Sequence, residues 1–257
     1  YIYIDKYGCG YNDFFNSEIN VSSAQCMNCE HRSEIKNLEL FIEDDYVSDD
    51  YRYVGIRIRD SANVAVSNIS VTRNENNSRY IIWGVYKCYN VSLDKLNVES
   101  PTADNTSSSY GLSADYVIKF NLENVDFSNV SAIGTWGVTG TNYITDWYID
   151  NSSISRIDTH YRLNNLTISN SCFSQLSYTG FGKILVENCE IRGSSLLLPR
   201  SDYKSFFDGD IIVQNCTVVS DSAYVFLCYF NFENFDFQAD NKRTEVFGAR
   251  NVYMDNI

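Results

Sequence analysis

A repeated hexapeptide pattern constrains the fold of this chain more than any other feature of its sequence. In each copy an apolar residue lies two places before an asparagine and another lies three places after it, as in Ile149, Asn151 and Ile154. The asparagine position recurs, with lysine in one copy, at Asn37, Asn68, Lys95, Asn124, Asn151, Asn170, Asn188, Asn215, Asn234 and Asn256. A spacing of 18 to 31 residues between copies indicates a repeat architecture.

The asparagine marks a predicted bend between two strands. Side chains alternate along a strand, so the apolar residue two places earlier shares a face with the asparagine. In most copies the next apolar residues come one and three places later, so the alternation slips by one residue at the asparagine. Asparagine tolerates the left-handed backbone conformation, and its amide can bond to a stacked amide. The pattern predicts a strand, a one-residue bend and a second strand, with the asparagine pointing inward.

Stacked copies of this unit would form a parallel β-helix with an internal asparagine ladder. The ladder resembles that of the pectin-lyase-like right-handed parallel β-helix family, and the resemblance covers the chain from about Ile35 to Ile257. It implies an all-β solenoid of about nine to ten rungs. The expected single domain spans residues 1–257, with 1–34 as an N-terminal cap or incomplete first rung and 35–257 as the rungs. We interpret the chain as a fragment of a longer one.

An ordinary β-sandwich with asparagine-rich turns is the alternative fold. It predicts hairpin signals at intervals of about 8–12 residues and tight turns that contain glycine. Such signals are scarce in this sequence.

The charge of the chain limits its partners. The formal net charge is −13 at pH 7, which argues against nucleic acid and against anionic membranes as partners. An acidic polysaccharide is not excluded, because a local groove of arginine and lysine can coexist with an acidic whole. No apolar run approaches the roughly 18 residues of a membrane-spanning helix, so no membrane insertion is expected.

The eight cysteines give no sign of a cofactor. Cys189 and Cys216 each follow a ladder asparagine, so they should stack in adjacent rungs. Their side chains would be poorly oriented for a disulfide, which favours buried free thiols. Cys26, Cys29 and His31 could form half of a zinc site, but only Cys9 is left to complete it. We therefore expect no metal and no cofactor.

A second group of short segments predicts a third sheet. These segments are Gly55–Arg59, Trp83–Lys87, Gly111–Asp115 and Trp136–Gly140. Their outward positions and flanks carry the candidate substrate-binding residues Arg57, Arg59, Tyr86, Lys87 and Asn142, together with the candidate catalytic residue Asp115. In the family that the chain resembles, this sheet and the loops before it form a groove for long linear sugars. The alternative is a solvated strand face without a ligand.

Ionisable residues that could take part in catalysis are most closely spaced between residues 156 and 162. Arg156, Asp158, His160 and Arg162 alternate there, so they should share one solvent-facing strand face while Ile157 faces the core. Histidine is a suitable proton carrier near neutral pH. Arginine can bind a sugar carboxylate bidentately. The alternative is a surface row of salt bridges, which contributes little stability.

Three functions compete on this evidence. The first is a carbohydrate-active enzyme, either a glycoside hydrolase with the carboxylates Asp115 and Asp158 or a polysaccharide lyase with His160 and Arg156 or Arg162. The resemblance includes phage tailspikes, and it implies a polysaccharide or oligosaccharide partner, an extracellular or virion-surface location and, as one option, a homotrimer. The second function is non-catalytic sugar binding, and the third is a structural shaft. The polygalacturonase motifs Asn-Thr-Asp and Arg-Ile-Lys and the calcium-binding aspartates of pectate lyases are not found.

Overall fold

The structure is a computed structural model of the 257-residue chain. It describes residues 32–42, 54–73, 81–99, 110–128, 139–193, 195–199, 207–220, 226–228 and 250–257. All the strands below belong to one compact unit, Ser33–Ile257. The zinc candidates Cys9, Cys26, Cys29 and His31, and nearly all of the predicted N-terminal cap, lie outside the described residues.

The described part of the chain is all-β, as expected, and contains no helix. Seventeen strands follow one another in the order β1 Ser33–Ile42, β2 Val54–Arg59, β3 Ala62–Arg73, β4 Ile81–Glu99, β5 Tyr110–Glu123, β6 Asp126–Phe127, β7 Thr139–Asp150, β8 Ser153–Tyr161, β9 Leu163–Ser169, β10 Cys172–Tyr178, β11 Gly180–Glu187, β12 Glu190–Arg192, β13 Ser195–Pro199, β14 Phe207–Gln214, β15 Thr217–Val219, β16 Phe226–Cys228 and β17 Asn251–Asp255. Among these residues no helix is long and apolar enough to span a membrane.

The strand pairings between described residues are parallel, and each repeat pairs in register with the next. Each repeat contributes to three strand sets. The first set precedes the asparagine and comprises 33–36, 64–67, 91–94, 120–123, 147–150, 166–169, 184–187, 211–214 and 252–255. The second set follows it and comprises 38–42, 69–73, 96–99, 126–127, 153–154, 172–173, 190–192 and 217–219. The third comprises 54–59, 81–86, 110–115, 139–142, 157–161, 176–178, 195–199 and 226–228.

The apolar residues of the hexapeptide pattern form the core in the inner repeats, as predicted, whereas Ile35 and Met254 in the first and last repeats are exposed. The position two places before the bend pairs strand to strand as Val66, Leu93, Leu122, Ile149, Ile168, Val186 and Val213, all buried. The position three places after the bend supplies Val71, Val98, Phe127, Ile154, Phe173 and Ile191, also buried. Burying each such side chain contributes about 1.5–3 kcal/mol relative to exposure, before the cost of ordering the chain.

The predicted asparagine bend is confirmed, but the predicted inward direction of its side chain is wrong. Every described asparagine of the pattern has a positive φ, and Lys95 takes the same conformation with φ of 51°. Their side chains are exposed, including that of Asn151, which was expected to be buried. The left-handed bend turns the asparagine outward and brings the following residue inward, so Val125 and Ser152 are buried instead.

A ladder of amides does exist, on the outside of the bend. Asn68 Nδ2 donates to Asn37 Oδ1 at 2.8 Å, and Asn151 Nδ2 donates to Asn124 Oδ1 at 2.5 Å. Aspartates replace the acceptor elsewhere, as where Asn170 Nδ2 donates to Asp150 Oδ1 at 2.8 Å. Because these bonds face solvent, they contribute less than buried amide pairs would.

Two further left-handed bends precede the asparagine in each of five consecutive repeats. The three bends lie at residues 60, 63 and 68, at 87, 90 and 95, at 116, 119 and 124, at 143, 146 and 151, and at 162, 165 and 170. The first two positions hold Asp, Lys, Tyr, Arg and Asn, and they keep the same offsets of eight and five residues before the third. The described strands therefore change direction at three fixed places in each of these repeats.

The polar ladder inside the molecule consists of serine and cysteine. Ser152, Ser171, Cys189 and Cys216 follow the bend in successive repeats and are buried. Each donates to the carbonyl two residues earlier, as Ser152 Oγ does to Asp150 O at 2.7 Å. Ser152 Oγ also accepts from Val125 N at 3.1 Å. Cys189 and Cys216 stack in adjacent strands as free thiols, as predicted.

Candidate functional site

The third strand set exists as predicted, with a different alignment of its members. Ile56 pairs with Trp83, and Trp83 pairs with Leu112, so the predicted segments were aligned one residue apart. The fourth member begins at Thr139, whereas the predicted Trp136 lies outside the described residues. The register places Arg59, Tyr86, Asp115 and Asn142 side by side on four consecutive strands.

Asp115 is the carboxylic acid of this group, and its pKa is raised. Burial raises its pKa from 3.8 to about 6, and the nearby charge of Lys87 opposes the shift. Its Oδ1 atom is buried and has no hydrogen-bond partner, and the same holds for Oδ1 of the neighbouring Asn142. A carboxyl with this pKa can take or release a proton near neutral pH.

Cations lie on the strands that precede Asp115. Arg57 is exposed, and its guanidinium lies 5.7 Å from the ring centroid of Tyr86. Arg59 is also exposed and forms an ion pair with Asp60 at 3.1 Å. Lys87 is half-buried at the first bend of its repeat. The structure thus brings the predicted residues of this sheet together, with positive charge on one side of Asp115.

Asp158 does not face solvent, so the predicted exposed row is wrong at this residue. Its side chain is 0% exposed and pairs with that of Arg156, which is 14% exposed, with Nε 3.1 Å from Oδ2 and Nη2 3.1 Å from Oδ1. The alternation of the strand places the two side chains on one face, and the ion pair compensates the carboxylate for its burial. Ile157 faces the core as predicted.

The two carboxylates of the predicted hydrolase pair are well separated. Asp158 pairs with Gly140, whose neighbour on the next strand is Ser113, two residues before Asp115. Strand spacing and rise therefore put the Cα atoms of Asp115 and Asp158 roughly 12 Å apart. The carboxyl groups of a glycosidase pair are about 5–9.5 Å apart, and the buried ion pair with Arg156 holds the Asp158 carboxyl away from that role.

His160 lies at an irregularity in the third strand set. Thr141 pairs with Thr159 and Asn142 pairs with Tyr161, so His160 is the extra residue of a β-bulge. It is half-buried rather than buried, and the strand ends at Tyr161, just before Arg162, whose φ is 37°. A bulge redirects a side chain and is common beside active sites. It places His160 next to the strand position of Asn142.

Sequence reasoning missed a stack of three tyrosines beside Asp115. The Tyr116 and Tyr143 rings lie 4.6 Å apart at 6°, and the Tyr143 and Tyr161 rings lie 5.6 Å apart at 0°. Tyr116 and Tyr143 both occupy the first bend, eight residues before Asn124 and Asn151. That constant offset was the signal in the sequence that could have found them.

Comparison of the chain with protein-family models, with curated proteins and with solved structures gave no match. The assignment of a function therefore depends on the geometry of these residues.

Proposed function

We propose that the chain is a right-handed parallel β-helix of the pectin-lyase-like kind. The support is the parallel, in-register pairing of successive repeats in three strand sets and the three bends at constant offsets. Right-handedness follows from the strong preference of crossover connections between parallel strands. The outward asparagines differ from the inward ladder on which the resemblance was first based.

The proposed function is that of a carbohydrate-active enzyme directed at a polysaccharide, with Asp115 as the group that transfers a proton. The observation that carries it is the half-buried Asp115 carboxyl, with its pKa near 6 and an oxygen without a hydrogen-bond partner, beside Asn142 on an outward strand position. Catalytic acids and bases combine burial, a raised pKa and unsatisfied polar atoms in this way.

The arrangement supports elimination better than hydrolysis. Hydrolysis needs a second carboxylate near the first, and Asp158 is both distant and held by Arg156. Elimination needs one base and a cation that stabilises the charge developing on the substrate, and Lys87 supplies a positive charge near Asp115. His160 is a second candidate base, because its bulge lies on β8, which pairs with the strand of Asn142, the neighbour of Asp115.

A panel of polysaccharides tests this proposal. Release of reducing ends should be accompanied by ultraviolet absorbance of unsaturated products on at least one substrate. Asp115→Asn should lower turnover about 10²-fold or more. Glu123→Gln, an exposed acid on the same strand, is the matched control and should leave turnover unchanged. Reducing ends without the absorbance would assign hydrolysis, and equal turnover of parent and Asp115→Asn would remove Asp115 from the chemistry.

Non-catalytic sugar binding is the second candidate. The partly exposed side chains of Tyr86, Asp115 and Asn142 lie side by side on consecutive strands and can bind sugar hydroxyls without any chemistry. Binding to a polysaccharide with no product from any substrate would select this function. The extracellular or virion-surface location and the homotrimer are proposals that depend on the likeness to tailspikes, and light scattering would test the homotrimer.

A further inference from the structure

An apolar row runs along the outer face of the first strand set, away from the strand set of Asp115. Its members are Tyr148, Thr167, Leu185, Ile212 and Tyr253, which pair in register on five consecutive strands. We call them the outer row. Tyr148 is 48% exposed and Tyr253 is 56% exposed, and the three side chains between them are partly exposed. The row is straight and about 19 Å long at the spacing of parallel strands.

Carboxylates flank the outer row on both sides. The flanking positions hold Asp146, Asp150, Glu187, Asp210 and Asp255, against the single cation Lys183. Neighbouring strands orient several of these acids, as Ser169 Oγ does by donating to Asp150 Oδ1 at 2.7 Å and Gln214 Nε2 by donating to Glu187 Oε2 at 2.9 Å. The surface therefore combines an apolar floor with an ordered negative rim.

The negative charge of the rim favours some binding partners of the outer row over others. A second copy of the chain would bring two negative rims together, which is unfavourable for a molecule of net charge −13. An extended peptide would find no backbone partners there, because the hydrogen bonds of the strands lie in the plane of the sheet and not on its face. A pyranose presents an apolar face of C–H groups and polar substituents around its edge, so it fits the floor and the rim together.

We propose that the outer row binds a linear amino-sugar polysaccharide that carries free, positively charged amines, such as a glucosamine polymer. The sugar rings pack on Tyr148 and Leu185, and the amines pair with the flanking carboxylates. Because the outer row and Asp115 belong to different strand sets, this binding is independent of the proposed proton transfer.

Titration calorimetry with a glucosamine hexasaccharide tests the proposal on the full chain. Binding to the parent should weaken about tenfold in Tyr148→Ser and again in Leu185→Thr. It should also weaken as salt rises. The matched control is Val219→Ser, which removes a 47% exposed apolar side chain outside the row and should leave binding unchanged. Far-ultraviolet circular dichroism checks that each variant is folded.

Several outcomes would overturn the proposal. They are no binding of the hexasaccharide to the parent, equal binding by parent and Tyr148→Ser, or equal affinity for the N-acetylated hexasaccharide, which has the same rings without the charge. Equal affinity for hexalysine through the row would show bare charge attraction in place of sugar recognition. A dimer of the parent that Tyr148→Ser dissociates would assign the row to self-association. Loss of this binding with intact turnover of another polysaccharide would leave the role of Asp115 untouched.

Discussion

At the scale of single residues, the left-handed bends decide which side chains the chain can use. A left-handed conformation costs a residue other than glycine about 1–2 kcal/mol, and least for asparagine and aspartate. Tyr116 and Tyr143 adopt it with φ of 55° and 53°. Stacking of their rings contributes about 0.5–1.5 kcal/mol per pair, which offsets the strain. The bends are therefore tolerant of residue type where a neighbouring strand supplies a partner.

Substitutions of Asn151 measure how much the left-handed bend contributes to stability. Asn151→Leu should lower the free energy of unfolding by about 1–2 kcal/mol, because leucine is strained at a φ of 45°. Asn151→Gly should lower it by less, since glycine adopts this conformation freely. Urea denaturation of both variants measures the difference. An equal loss in the two variants would place the cost in the exposed amide bond to Asn124 and not in the backbone.

Asp115 gives a prediction for pH. The pKa of the Asp115 carboxyl is about 6 in the folded chain, whereas its ordinary value, which applies to the unfolded chain, is 3.8. Between these two pH values the folded state therefore binds more protons than the unfolded state. The stability of the parent should therefore decline as pH rises from about 4 to about 6 and level off above that range. Asp115→Asn lacks this decline, so its free energy of unfolding relative to the parent should increase across the same window and then stay constant.

Urea unfolding at a series of pH values measures the Asp115 effect. Glu39→Gln serves as the control, because Glu39 is exposed and its partner on the neighbouring strand is the uncharged Ser70. A relative stability of Asp115→Asn that is the same at pH 4 and pH 7 would contradict the burial of the Asp115 carboxyl.

At the scale of strands, the serine and cysteine ladder joins neighbouring repeats from the inside. Ser152→Ala removes the acceptor of Val125 N and the donor to Asp150 O in a buried place, and it should cost about 1–3 kcal/mol. Ser152→Cys should cost less, because Cys189 makes the same bond to its own strand. Thermal and urea unfolding of the two variants check the order. If alanine is the milder change, packing volume matters more here than hydrogen bonding.

The sequence predicted the core and the third bend because both repeat in residue type. Apolar residues recur on either side of the asparagine, and the packing of the folded chain buries them as their local pattern predicts. The direction of the asparagine was ambiguous, since a one-residue slip can bury either Asn151 or Ser152. The small residue that follows several of the asparagines would have decided it.

The other two bends and part of the site escaped prediction for physical reasons. Lys87, Tyr116 and Arg162 share only their spacing of eight residues before the third bend, because several residue types satisfy the left-handed conformation when a neighbour stabilises them. Asp115 was placed correctly on an outward position. The burial of Asp158 depends on the residues packed around its strand. The alternation of side chains along a single strand does not predict that packing.

At the scale of the whole molecule, like charges accumulate in register. Asp94, Glu123 and Asp150 occupy the same position on three consecutive strands, in a chain of net charge −13. Carboxylates opposite one another on neighbouring strands repel. The fold therefore carries an electrostatic cost that salt can screen.

Raising the salt concentration from about 0.01 M to about 0.5 M should raise the melting temperature, since the Debye length falls from about 30 Å to about 4 Å, close to the spacing of neighbouring strands. Glu123→Gln should melt higher than the parent at low salt and gain less from added salt. Differential scanning calorimetry of both proteins measures this. A melting temperature that falls with salt would show that exposed ion pairs such as Arg59 with Asp60 outweigh the repulsion.

The fixed offsets of the three bends have a consequence for how such a chain can change in length. Asn151 and Asn170 occupy equivalent places, so excising residues 151–169 would join Asp150 to Asn170 and leave every later side chain on its original side. Excising an odd number of residues from within a strand would instead turn the core side chains next to the cut outward. Copying or losing one DNA segment per repeat is thus a single genetic event that preserves the interior, and a gene for this protein can grow or shrink in whole units.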